Sequence, residues 1–207
     1  MESSKALQIM LSSAILVLLL VSVFPDTEGC RAADGSNGHV QFHKVSHYEF
    51  SGPKWPPSKY NLTYAFLGNY PSDKINPVAL DFDQWAANSG FTFSQVPNNT
   101  QSDLTISFQR LDHGDNSPFD GPGGVLAHAY DPEDGRFHFD ADDSFVVGAV
   151  ADSFDVETVA VHEIGHLLGL DHSLVQEAVM YEFITSGATN RDLHPDDIAG
   201  IKALYGF

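Results

Sequence analysis

The sequence predicts a single α/β (α+β) domain, with a twisted mixed five-stranded sheet, a histidine-bearing helix and a C-terminal helix. Three observations carry this. Five short stretches alternate apolar and polar residues or are rich in aromatic and β-branched types. Three windows carry helix signals, and the last two follow the strands. About 178 residues remain after an N-terminal leader, which suits one domain with a sizeable core.

Each element has a local cause. Residues 1–29 read as a signal peptide. Lys5 gives a weakly basic start, Met10 to Val23 is apolar apart from three serines, and Thr27-Glu28-Gly29 offers a cleavage point before Cys30. Residues 30–46 are polar and read as a flexible N-terminal arm. His39, His43 and His47 are spaced by four, but β-branched residues between them argue against a helix there, so no metal site is expected. The domain proper is expected over residues 47–207. Strands are expected at 59–67, 91–96, 104–108, 125–130 and 136–139. Between the first two, residues 74–88 carry Val78, Leu80, Phe82, Trp85 and Ala86 and read as an amphipathic helix. Asp155 suits the N-cap of a helix over about 156–168, with Val159, Ile164 and Leu167 toward the core. Pro195 suits the first turn of a final helix, and Asp196 and Asp197 suit the positive end of its dipole.

Composition narrows the function. The chain has 28 acidic and 10 basic residues, a net charge of −18. The leader's Glu2, Asp26, Glu28 and Lys5 change this little. A nucleic-acid partner is therefore not expected. Many carboxylates fall between Asp112 and Asp155, interleaved with histidines and glycines, where divalent cations would offset part of their repulsion. Cys30 is the only cysteine, so no intrachain disulfide can form, and metal ions are the alternative source of stability. Asn61-Leu62-Thr63 and Asn98-Asn99-Thr100 are glycosylation sequons. No C-terminal apolar tail signals a lipid anchor. The expectation is a secreted, extracellular, monomeric protein with no stable membrane attachment.

The chemistry is concentrated in residues 162–173, His-Glu-Ile-Gly-His-Leu-Leu-Gly-Leu-Asp-His-Ser. His162 and His166 are four apart, so a helix places them on one face, one turn apart. Gly169 can enter the left-handed region at no steric cost and end that helix. The chain can then return His172 to the same metal. Three protein ligands leave the fourth position of a tetrahedral zinc open for water. Glu163, beside the first ligand, is the natural base for that water. A core helix with buried histidines would need neither the glycine nor the third histidine.

This stretch resembles the metzincin metalloproteases, and Ser173 after the third histidine resembles their matrixin branch. Met180, in Ala178-Val179-Met180-Tyr181, stands where that family has its Met-turn and would form an apolar floor, not a ligand. His47-Tyr48-Glu49-Phe50 and Pro53-Lys54-Trp55-Pro56-Pro57 look most like plant matrixins, which implies an apoplastic or extracellular-matrix setting. The resemblance covers residues 47–207 and implies a metzincin-like metallopeptidase domain. Residues 113–128 resemble the same family, and there the resemblance implies a structural zinc on His113, Asp115, His128 and His138. Three imidazoles and a carboxylate make a closed set with no open position. The resemblance also implies a calcium ion on the side chains of Asp120 and Asp140 and the carbonyls of Gly121, Gly123 and Val125. Asp143 stands where the family usually has glutamate and completes that set with a shorter reach. A further calcium site is not expected, because Arg136 stands where a second acid would accompany Asp103.

One departure concerns latency. The family's propeptide motif Pro-Arg-Cys-Gly is missing, since Cys30 is followed by Arg31 and Ala32. The expected activity is zinc-dependent hydrolysis of peptide bonds. An extended peptide would lie along the strand holding Leu126 and Ala127. The loop from Tyr181 to Asn190, with Phe183 and Ile184, would select a hydrophobic side chain just after the cut. The alternative is a non-catalytic secreted binding protein on the same metal-stabilised fold, which would have no chemical need for Glu163.

Overall fold

The computed structural model describes residues 48–68 and 70–207, together with the backbone of 27–28 and 31–32. The rest of residues 1–47, where a leader and an arm are expected, lies outside the described residues, including Cys30, His39, His43 and His47. All five expected strands form: β1 (Asn61–Phe66), β2 (Thr92–Gln95), β3 (Leu104–Gln109), β4 (Ala127–Tyr130) and β5 (Arg136–Asp140). Their spatial order is β4-β5-β3-β1-β2. β4 runs antiparallel to β5, and the other pairings are parallel. Thr27 and Glu28 add a short antiparallel strand outside β4, opposite Tyr130 and Ala129. Arg31 and Ala32 pair in parallel with Phe183 and Ile184.

Helix α1 (Ser72–Asn88) begins two residues before the expected start. Val78, Phe82 and Trp85 are fully buried, but Leu80 is exposed because it projects from the opposite side of the helix. Helix α2 (Val156–Leu167) starts as expected at Asp155, whose carboxylate accepts the Thr158 amide at 3.0 Å. The sequence places Val159, Ile164 and Leu167 toward the core, and in the fold all twelve residues of the helix are buried. It packs on α1 and on β4, and the Trp85 indole donates to the Val161 carbonyl at 2.9 Å. A helix covered all round belongs to the interior, so its polar residues sit inside the fold.

The end of α2 is set by Gly169, at φ +87°. The Gly169 amide donates to the His166 carbonyl and the Leu170 amide to the Gly165 carbonyl, the two bonds of a Schellman motif. A Cβ at Gly169 would meet the Pro53 carbonyl oxygen at 2.7 Å. The carbonyls of Leu167 and Leu168, left over at the helix end, accept from the Trp55 indole and the Tyr205 hydroxyl, each at 2.8 Å. Helix α3 (Pro195–Tyr205) closes the domain. His194 caps it, and the Asp197 side chain returns to the His194 amide. Among the described residues no helix is long and apolar enough to cross a membrane.

Candidate metal centre

Among the described residues two groups of metal-ligating side chains converge, and they are the two the sequence singles out. The first is His162, His166 and His172, with ligand atoms within 4.8 Å of one another. Both α2 histidines are oriented through Nδ1. His162 Nδ1 lies 2.7 Å from the Val179 carbonyl, and His166 Nδ1 lies 2.8 Å from the Leu170 carbonyl. A carbonyl oxygen only accepts, so each Nδ1 carries the proton and each Nε2 is a bare lone pair. Those two Nε2 atoms face each other at 3.0 Å. Two lone pairs at that distance repel unless a cation lies between them, and neutral imidazole is the form that binds one. Burial, with His172 alongside, pushes His162 down to about 3. Burial and the neighbouring His162 hold His166 well below its ordinary value. The donor set thus fits a divalent cation with nitrogen preference, and zinc takes such ligands at about 2.0–2.1 Å.

Glu163 is fully buried beside His162 on α2. Met180 is buried under the same helix. A Cβ on Gly165 would run into its sulfur, so the glycine makes room for the methionine. The Met180 carbonyl accepts the Ser173 amide at 2.7 Å.

The second group is His113, Asp115, His128 and His138. His128 and His138 are direct cross-strand partners on β4 and β5. Asp115 Oδ2 lies 2.6 Å from His113 Nε2, 3.0 Å from His128 Nε2 and 3.0 Å from His138 Nδ1. Burial opposes ionisation of Asp115, yet the Ser117 amide, Tyr130 and His128 outweigh it and hold its carboxyl below the usual range. Burial, with His128 nearby, pushes His138 down to about 4. One carboxylate and three imidazoles around one point also suit zinc.

The expected calcium residues are neighbours but converge less tightly. Asp120, Asp140 and Asp143 do not form a group within 4.8 Å among the described residues. Asp143 accepts the Gly123 amide at 2.7 Å, and Asp120 accepts the Val125 amide at 3.2 Å. One oxygen of Asp140 and one of Asp143 are buried without a hydrogen-bond partner. Burial pushes both carboxyls up, and the charge of Asp120 adds to it. Asp103 instead binds Lys59 and Thr63, while Arg136 forks onto Asp134. Asn61 and Asn98 are both exposed.

A sequence model of the matrixin family matches residues 54–206. The chain belongs to the matrixin family. Similar proteins include metalloendoproteinase 2-MMP of Arabidopsis thaliana, 46% identical over 178 residues, which is 81% of this chain and 47% of that protein. Metalloendoproteinase 1 of Glycine max is 40% identical over 181 residues, 83% of this chain and 59% of that protein. The hatching enzyme of Paracentrotus lividus is 46% identical over 135 residues, 65% of this chain and 23% of that protein. The chain spans about half the length of the two plant relatives.

This matrixin also uses residues that sequence reasoning left aside. Asp197 and Asp196 suggest only helix-dipole partners in the sequence. In the fold Asp197 accepts the Val179 and Met180 amides at 2.9 and 3.1 Å, and Asp196 accepts the Ser173 hydroxyl at 2.8 Å. The start of α3 therefore fixes the turn that follows the third histidine. Arg191, with no signal of its own in the sequence, forks onto Asp155 at the start of α2. These bonds join residues 17 to 36 positions apart, beyond the reach of any local pattern.

Proposed function

We propose that this chain is a secreted zinc-dependent endopeptidase that hydrolyses peptide bonds of extracellular proteins. The observation that carries the reading is the pair of bare Nε2 atoms on α2, with Glu163 buried between the two ligand positions in sequence. His162, His166 and His172 would hold the metal. Zinc, when bound there, supplies Lewis acidity that acidifies a water and polarises the scissile carbonyl. Glu163 accepts the proton of the attacking water and returns it to the leaving amine. The peptide lies extended along β4, near Leu126 and Ala127, bonded by main-chain groups. The pairing of Thr27 and Glu28 with the same edge supports this, since it marks that edge as able to take an added strand.

A cavity of about 130 Å³ lies behind the turn, lined by Thr158, Ala178, Val179, Ile184 and Asn190 among others. Ala178, Val179, Phe183 and Ile184 supply an apolar part of its lining beside Thr158, Gln176 and Asn190, which suits a hydrophobic side chain just after the cut. The leader and the exposed Asn61 and Asn98 favour secretion and glycosylation. A quenched peptide library, incubated with the chain plus Zn²⁺ and Ca²⁺, tests the activity and its preference together. Absence of any cleavage by the metal-loaded protein would favour a non-catalytic binding protein instead.

The second histidine group would hold a structural zinc, and the Asp120–Asp143 region a calcium ion. His128→Ala removes one of four ligands. The expected result is one fewer zinc per chain and a lower melting temperature. Losing a ligand present at about 1,000 times its Kd costs about 4 kcal/mol, on the order of 10 °C for a domain of this size. Zinc analysis and calorimetry check it, and unchanged values in both would remove the assignment.

Calcium should act differently. A carboxyl whose folded pKa is raised contributes stability while protonated and loses it as pH rises through that pKa. Asp140 and Asp143 are of this kind. Calcium offsets the loss, so it should raise the melting temperature more at neutral pH than in acid. At about 100 times its Kd the gain is about 2.7 kcal/mol. Asp140→Asn should abolish most of the calcium-dependent gain. Thermal melts with and without calcium at two pH values decide it.

A further inference from the structure

The far end of the loop behind the cavity is tied down by a chain of polar contacts. Arg191 Nε and Nη2 donate to the two oxygens of Asp155 at 2.8 and 2.6 Å, and Nη1 lies 2.9 Å from Glu157. Asp155 also accepts the Thr158 hydroxyl at 2.8 Å, and the Thr158 oxygen accepts the Asn190 amide at 2.9 Å. On the other side, Gln84 of α1 donates to the Arg191 carbonyl at 2.9 Å and accepts the Leu193 amide at 2.7 Å. Thr158 and Asn190 line the cavity; Arg191 does not. The guanidinium therefore sits behind the wall and holds it through two carboxylates. A planar fork with five donors suits that task, and an ammonium does not reproduce it.

We propose that Arg191 is a positioning residue that keeps the far wall of this cavity closed. Through Asp155, Thr158 and Asn190 it limits the side chain after the cut to leucine or methionine size. This rests on the reading that the cavity receives that side chain. At about 130 Å³ the space is slightly smaller than the ~150 Å³ apolar cavity that accepts benzene. Such a volume suits an isobutyl or thioether group better than an indole, provided the wall formed by Asn190 stays in place. Releasing the Asn190 amide lets the wall move outward and enlarges the cavity.

The test compares two peptides that differ only in leucine or tryptophan after the cut, with hydrogen exchange of residues 181–190 measured alongside. Wild type should favour leucine by at least about tenfold in kcat/KM, in line with pocket discrimination of 10–200-fold. Arg191→Ala should shrink that ratio about tenfold, with the loss on leucine falling on KM more than on kcat. Arg191→Lys should lie between them. Thr158→Val keeps the shape without the hydroxyl and should follow Arg191→Ala, whereas Thr158→Ser should retain the wild-type ratio. Exchange over 181–190 should quicken about tenfold in Arg191→Ala and Thr158→Val, less in Arg191→Lys, and not in Thr158→Ser. A role in stability alone would lower both peptides equally, and an unchanged ratio overturns the proposal. If wild type cleaves neither peptide, the peptidase reading fails, and exchange still decides the clasp. Unchanged exchange in Arg191→Ala overturns it.

Discussion

Glu163→Gln is expected to lower peptide hydrolysis about 10²–10⁴-fold while leaving two zinc ions bound. The amide has nearly the shape of the carboxylate, so the packing of a fully buried side chain inside α2 is retained. It cannot accept a proton from water. None of the seven proposed zinc ligands is touched, so metal content should match wild type. The measurement is kcat on a cleavable peptide beside zinc analysis of the same preparation. A variant that kept more than about a tenth of the wild-type rate would exclude Glu163 as the base. A variant that lost a zinc would show that the substitution disturbs the site and would leave the rate uninterpretable as base loss. In that case Glu163→Asp, which keeps the carboxylate but withdraws it by one methylene, serves as the second test and should also lose most of its activity.

Much of this site is legible in the sequence because its signals are local. The spacing of His162 and His166, the cap at Asp155 and the turn at Gly169 all act within a dozen residues, and each forms where expected. The five strands are legible for the same reason. The pleat alternates every second residue, so a stretch such as 61–66 declares itself. Strand order is another matter. The parallel pairing of β1 with β2, across the whole of α1, follows from packing that no short window contains. Helix α2 shows the limit most clearly. The sequence places only Val159, Ile164 and Leu167 toward the core, but Glu157, Thr158, His162, Glu163 and His166 are buried as well. They face partners contributed by the return of the chain, which include Arg191, Asn190 and the Val179 carbonyl. The calcium residues show the converse, since their sequence pattern is local, yet Asp120, Asp140 and Asp143 do not form a group within 4.8 Å among the described residues.

Asp197→Ala is expected to give a large loss of stability, because one buried carboxylate serves three backbone amides. Asp197 Oδ2 accepts from Val179 at 2.9 Å and His194 at 2.8 Å, and Oδ1 accepts from Met180 at 3.1 Å. The side chain is almost wholly buried, and that burial pushes its carboxyl up even though all three amides pull it down. Leaving a buried donor without a partner costs about 1–3 kcal/mol each, so the variant should lose on the order of 4 kcal/mol. That corresponds to roughly 8–16 °C in melting temperature for a domain of this length. The effect should also reach the metal. The Val179 carbonyl, whose amide Asp197 holds, is the acceptor that fixes the tautomer of His162. Loss of such an orienting partner typically weakens a metal site about 10–100-fold, and here the effect is one bond further removed, so about tenfold is expected for the α2 site alone. Asp197→Asn keeps one acceptor oxygen and should lose less on both counts. Calorimetry together with zinc competition against a chelator separates the two effects. Melting within about 2 °C of wild type would show that the turn after His172 holds its shape without Asp197.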